Sequence, residues 1–353
     1  MKKFLKAFNS PNIGAGYLYF YVHFVVEVVC FYCITQMIGN SVFLWIAPFV
    51  YDAVAFVPQG IIGYFSDKYP KINMGIIGTV FLLIGLVTMS LNLLPGSYTE
   101  LILVCLGNAF IHVEGAEVTL RSSKGKMAHS AIFVAGGSFG VITGKLLKQV
   151  FCPYWIILFL GLTMIPFILL ADYYKKENND DCKNFNYQNK KMNPSLLIIL
   201  TVFIVFSRSY MGYGIPTAWN KTIIQTVLLF CVMGVGKALG GVFLDTFGIR
   251  KTAIVSILCS LPFLLFGDHL MLVSLIGILM FSMTMPVTLA ILVSVLKKKP
   301  GIAFGLTTIG LFLGFTPIFF YKITSTLYNC ILISFLTLIS LIIALMVIKK
   351  EVT

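Results

Sequence analysis

His23, Glu27 and Cys30 stand four and three residues apart within an otherwise apolar run, so on a helix all three share one face. Imidazole, carboxylate and thiol on one stripe can pass a proton, hold a solute by hydrogen bonds, or ligate a transition metal. No dense His or Cys cluster accompanies them, so no metal centre is expected. A second stretch, IHVEGAEV, brings His112, Glu114 and Glu117 together, with Arg121 four residues beyond Glu117 in ion-pair register. Asp52 sits in YDAVAFVPQG, where it reads either as a cavity group or as one paired within the protein. The basic counterparts are Lys145, Arg208 and Lys237, each inside an apolar stretch. Guanidinium and ammonium groups so placed suit a carboxylate, phosphate or phosphonate, although Lys145 is near enough to the end of its run to snorkel outward.

The elements that carry these residues follow from composition. The chain has 353 residues, 58% hydrophobic and 11% charged, with a mean hydropathy of +0.94. Soluble domains are about 45–50% apolar and about 25% charged, so this is an integral membrane protein. Crossing the hydrocarbon takes roughly 20 apolar residues as a helix. Twelve such runs lie near 14–38, 42–65, 74–94, 99–120, 128–150, 153–173, 194–216, 222–244, 251–267, 269–296, 301–324 and 326–348. The predicted fold is therefore all-α, twelve transmembrane helices in two six-helix halves. It divides as 1–172, a linker 173–193, and 194–353.

Net charge +13 could suggest a polyanion partner, but the basic residues sort by loop instead. One face takes 20 of the 26 Lys and Arg: Lys2, Lys3, Lys6, Lys68, Lys71, Arg121, Lys124, Lys126, the 173–193 stretch, Arg250, Lys251, Lys297 to Lys299, Lys349 and Lys350. That face is expected to be cytoplasmic, with both termini on it, in the inner cell membrane. The start MKKFLKAFNSPNIGAG lacks an apolar core and cleavage site and is not expected to be a cleaved signal peptide. The eight cysteines fall mostly in apolar runs and imply no disulfide framework. The GK pairs at Lys145 and Lys237 lack the rest of a phosphate loop, so no nucleotide cofactor is expected. The polar linker YYKKENNDDCKNFNYQNKKMN reads as flexible.

The two halves repeat: Asp67 closes the second helix in GYFSDKYPK, and Asp245 closes the eighth in GGVFLDTFGIRK. Gly241, Asp245, Gly248, Arg250 and Lys251 resemble the signature loop of the major facilitator superfamily, and Gly63, Asp67, Lys68 and Lys71 resemble its first-half copy, with Pro70 in place of glycine. YDAVAFVPQGIIGYFSD, GNAFIHVEG and FSRSYMGYG further resemble the fosmidomycin-resistance type. The resemblance implies two bundles around a midplane cavity that opens alternately to either side, with helices 1, 4, 7 and 10 innermost.

That placement makes Glu27 and Glu114, with Asp52, the expected proton carriers and His23 and His112 their hydrogen-bonding partners. Arg208, Lys237 and Lys145 become the expected substrate contacts. Gly63, Asp67, Arg121, Gly241, Asp245 and Arg250 become a gating latch, in which Arg121 and Lys297 are expected to pair with Asp67 and Asp245. Lys145 stands where drug antiporters of the superfamily carry proline after a glycine-rich helix 5, so the direction of transport stays open. The expected function is secondary, proton-coupled transport of a small organic anion or drug, without enzymatic activity, cofactor or nucleic acid, by a monomer in the bilayer. The alternative is a cation or metal transporter using the intramembrane acids as ligands. Topology has a direct check: in intact cells an impermeant thiol reagent should leave Asn186→Cys unlabelled, and ready labelling would invert the orientation.

Overall fold

The computed structural model describes residues 12–40, 46–93, 98–177, 182–321, 323 and 325–349. Lys2, Lys3, Lys6 and Lys350, used above for topology, lie outside the described residues, as do 178–181 of the linker and the Lys176 side chain.

Twelve helical segments occur among the described residues. They are α1 (Gly14–Asn40), α2 (Ile46–Lys68), α3 (Met74–Ser90), α4 (Thr99–Ser122), α5 (Ala128–Gln149), α6 (Tyr154–Lys175), α7 (Pro194–Gly214), α8 (Ile223–Phe247), α9 (Ile249–Phe266), α10 (Met271–Val295), α11 (Pro300–Phe320) and α12 (Thr326–Val347). Eleven are long and apolar enough to cross a bilayer, and α3 is apolar but shorter at 17 residues. Local chemistry sets their ends and bends. Asn73 accepts from Ile76 N–H to start α3, and Thr222 with Gln225 forms a reciprocal capping box on α8. Pro58 breaks α2 into Ile46–Phe56 and Gln59–Lys68, because proline removes a donor and clashes with the preceding turn. A π-helical turn, Ile254–Cys259, interrupts α9.

Without a hydrophobic drive between helices in lipid, close packing needs small residues. Helix α5 supplies them toward α1: a Cβ at Gly136, Gly140 or Gly144 would lie 2.2, 2.3 or 2.5 Å from the carbonyl oxygens of Phe20, Phe24 and Val28. Large apolar side chains such as Trp155, Phe159, Phe335 and Ile342 are exposed on α6 and α12, as lipid contact requires. The bundles, α1–α6 and α7–α12, meet along α5 with α8 and α2 with α11.

The linker is not loose where it is described. Tyr187 N–H donates to Ser294 Oγ at 3.0 Å and its hydroxyl to the Gly125 carbonyl at 3.0 Å. Asn189 N–H reaches the Val347 carbonyl at 2.7 Å, and Phe185 is fully buried. Backbone groups of a polar segment crossing between bundles must be satisfied somewhere, and these bonds anchor 182–193 in place of the flexibility its composition suggested. They also put the linker, the α4–α5 turn and the end of α12 on one face.

Overpacking of a tight interface costs about 1–3 kcal/mol. Gly144→Ala should therefore lower the melting temperature of the purified protein measurably. Gly212→Ala, whose Cβ would meet nothing nearer than 4.0 Å, should leave it unchanged.

Candidate functional site

A cavity of about 330 Å³ lies between the bundles, lined by His23, Glu27, Asp52, His112 and Lys145 of the first bundle and by Arg208 and Lys237 of the second. A second chamber of about 480 Å³ shares Arg208, Tyr213 and Lys237 as wall and extends to Ile215 and Thr217, at the end of α7 away from the linker.

The acidic wall is a connected network. Tyr51 hydroxyl donates to Glu27 Oε2 at 3.0 Å, and Asn108 Nδ2 donates to Glu27 Oε1 at 3.0 Å and to Tyr51 Oη at 3.0 Å. His112 Nε2 stands 3.5 Å and His23 Nε2 3.8 Å from Glu27 Oε1. All four of Glu27, Asp52, His23 and His112 are buried from bulk solvent. Sequence reading missed Tyr51 and Asn108. Asn108 precedes His112 by one helical turn, so its face was readable, but a neutral amide gives no charge signal.

The basic wall is less satisfied. Lys237 Nζ donates to Ser138 Oγ at 2.8 Å, and Lys145 Nζ lies 5.4 and 5.2 Å from the ring centres of Phe31 and Phe230, in cation–π range. Lys145 thus turns into the cavity and does not snorkel. Arg208 Nε is buried with no hydrogen-bond partner among the described residues.

Glu114 does not line this cavity. Its carboxylate takes Lys175 Nζ at 2.9 Å and caps α3 through Met74 N–H at 2.8 Å. Lys175 also pairs with Glu117 at 3.4 Å, and Glu117 with Arg121 Nε at 2.8 Å. A fully buried carboxylate with a lysine partner and a helix N-terminus is a structural group, which corrects its expected place among the proton carriers. Lys175, read from sequence as a topology marker, is the buried partner.

The two aspartates perform matched tasks. Asp67 of α2 accepts from Gly301 and Ile302 N–H at 3.0 and 2.9 Å, the first turn of α11. Asp245 of α8 accepts from Met127 and Ala128 N–H at 2.8 and 2.9 Å, at the start of α5. Each carboxylate therefore caps a helix of the opposite bundle, where the helix dipole favours negative charge. Gly63 lets α2 reach α11, because a Cβ there would lie 2.3 Å from the Gly301 carbonyl oxygen. Gly241 faces Met127 and Ala131 in the same way. Arg121 Nη2 lies 3.6 Å from Asp67. Lys297 does not serve Asp245: its Nζ lies 3.5 Å from the Lys183 carbonyl instead. Arg250 is half-buried at the start of α9 and forms no ion pair among the described residues, so it stands outside the latch.

His23, Glu27 and His112 place their ligand atoms within 4.8 Å of one another, the spacing to consider for an ion. The two Nε2 atoms, however, are 2.8 Å apart, whereas two ligands on a tetrahedral ion at 2.0–2.1 Å stand roughly 3.3 Å apart. The cluster does not fit a metal.

No protein-family profile matches the chain. It is 27% identical over 237 residues to the fosmidomycin resistance protein of Escherichia coli strain K12, a match covering 59% of this chain and 57% of that one. It is 25% identical over 250 residues to the uncharacterised MFS-type transporter YfnC of Bacillus subtilis strain 168, covering 62% and 60%. The matches thus span less than two thirds of either curated relative. Solved structures agree in fold: the Escherichia coli fucose:proton symporter FucP has a TM-score of 0.64 at 14% identity, over 93% of this chain and 97% of that one. The human organic anion transporter MFSD10 has a TM-score of 0.68 at 11% identity, over 95% and 100%. The resemblance read from the signature loops is present in the fold, which is that of the major facilitator transporters, in a multi-pass membrane protein.

Asparagine offers one acceptor oxygen and no charge where Asp67 and Asp245 serve two donors each. Losing about 1.5–3 kcal/mol of charge-assisted hydrogen bonding should open the linker face in Asp67→Asn or Asp245→Asn. Spin labels at Lys71 and Lys299 should then show a new long-distance population, and unchanged distances would limit the aspartates to fixing topology.

Proposed function

We propose that this chain is a proton-coupled secondary transporter, moving a small organic anion through the interbundle cavity by alternating access. The observation that carries this reading is Arg208, whose buried Nε has no partner among the described residues, facing the same cavity as Lys145 and Lys237. Buried cations are costly to keep without a pathway or counter-ion, and a guanidinium presents a planar fork to carboxylate or phosphonate oxygens. The acids Glu27 and Asp52 line the same cavity from the first bundle, while Arg208 and Lys237 come from the second and Lys145 from α5 of the first. The names of the structural neighbours, a sugar:proton symporter and an organic anion transporter, point to the same class.

The state described is closed at the linker face by the two aspartate caps, and its larger chamber reaches toward the opposite side. With the linker face cytoplasmic, as the basic residues imply, this is an outward-facing form in the inner membrane. Release of the caps and closure of the opposite ends would give the inward-facing form.

Proteoliposomes under an imposed pH gradient, offered a panel of small carboxylates, phosphates and phosphonates, supply the test. One or more should accumulate. Arg208→Gln should weaken that anion's binding roughly 10- to 150-fold, the worth of a charge-assisted hydrogen bond. Lys237→Gln should act the same way but less, because an ammonium lacks the bidentate fork. Uptake confined to organic cations or divalent metals, and indifferent to Arg208→Gln, would overturn the anion reading.

A further inference from the structure

The histidine pair is more than a neighbour of Glu27. His23 Nδ1 stands 2.9 Å from the Phe133 carbonyl, and His112 Nδ1 stands 2.9 Å from the Asn108 carbonyl. A carbonyl oxygen only accepts, so each Nδ1 carries hydrogen. In a neutral imidazole the other nitrogen is then a bare lone pair. Yet the two Nε2 atoms face each other at 2.8 Å, with the rings at 78°. Two lone pairs do not hold that distance, whereas one N–H donating to one lone pair does.

Charge accounting at Glu27 agrees. Its bonded partners, the Tyr51 hydroxyl and the Asn108 amide, both donate. The Asn108 amide nitrogen can only donate, and the Tyr51 hydroxyl, which itself accepts from Asn108, has its hydrogen left for Oε2, so the carboxylate is the form that serves both donors. Gly137 makes the space, since a Cβ there would fall 2.3 Å from His23 Nε2.

We propose that His23 and His112 hold one proton between their Nε2 atoms, as an imidazolium–imidazole pair neutralised by Glu27, and that this pair is where the coupling proton resides. The inference rests on the proton-coupled reading above. The step balances simply: a hydronium ion gives its proton to one Nε2 lone pair, an O–H bond breaks as the N–H bond forms, and water is left. Its loss leaves two facing lone pairs, which must separate, so deprotonation pushes α1 from α4. The bundle that carries the Asp67 latch therefore responds to the proton. The groups facing the pair are Glu27 and Cys30 from α1, Tyr51 and Asp52 from α2, Lys145 from α5, Arg208 from α7 and Lys237 from α8.

The chain has four histidines, so ring-nitrogen-labelled full-length protein in lipid nanodiscs gives a readable spectrum. Nitrogen–nitrogen coupling across the bond should link two rings and vanish in one step as pH rises. Glu27→Gln, which removes the counter-charge, should require a roughly 10- to 1,000-fold higher proton concentration to keep it. His112→Gln should abolish the coupling and leave His23 titrating alone. Absence of coupling at every pH in the wild-type protein, or a proton found on the Glu27 carboxyl, would overturn the proposal. So would a stoichiometric transition metal on the purified protein that His23→Gln removes. Because the spectrum reads the proton without transport, its failure is separable from a failure of gradient-driven uptake, which would sink the transport reading instead.

Discussion

An ionised side chain inside an apolar bundle must be neutralised nearby, and this requirement organises nearly everything in the molecule beyond its helices. Toward the linker face the charges form a closed chain: Glu114, Lys175, Glu117, Arg121 and Asp67, each within ion-pair distance of the next or sharing a neighbour. Helix N-termini take what remains of the negative charge. In the cavity the same requirement is left partly unmet, with a guanidinium lacking a partner and an ammonium held over aromatic faces. Satisfied charge fixes structure, and on the proposed reading unsatisfied charge awaits a ligand.

The caps show how one device serves both halves. A carboxylate at the end of α2 holds the N-terminus of α11, and one at the end of α8 holds the N-terminus of α5. The exchange is reciprocal, so neither bundle can swing away at this face without exposing four backbone donors. The glycine beside each aspartate has a separate task, permitting the approach that makes a short cap possible. On the proposed reading such a joint is bistable: complete when the bundles touch and worth little once they part.

Much of this was legible in the sequence, and the reasons for the rest are physical. The twelve helices could be read because lipid demands unbroken apolar length, and the latch because Gly63 with Asp67 and Gly241 with Asp245 repeat at matching helix ends. His23 with Glu27 was readable from helical spacing. Glu114 was misplaced because its partner, Lys175, lies 61 residues on in a basic run that reads as topology. Lys297 was misassigned because its partner is a linker carbonyl, that of Lys183, and no residue spacing encodes where the linker lies. Tyr51 and Asn108 were missed because neutral polar side chains in an apolar helix look like core. Facing imidazole lone pairs are a property of two ring orientations, and no residue spacing encodes them.

Proton and anion are tied through the cavity's charge on the proposed reading. With the histidine pair protonated, its positive charge offsets Glu27, and Arg208, Lys145 and Lys237 present an excess that favours a bound anion. Without that proton Glu27 stands uncompensated on the same cavity wall and weakens the attraction. Linkage makes the effect reciprocal: whatever the proton adds to anion affinity, the anion adds to proton affinity. The glycine stripe of α5 matters to this exchange because it presses α1 against the helix that carries Ser138, the hydrogen-bond partner of Lys237. Movement of His23 on α1 thus reaches the basic wall through one packed helix. Coupling then needs no contact between the proton and the solute, only a shared cavity and a helix too closely packed to move alone.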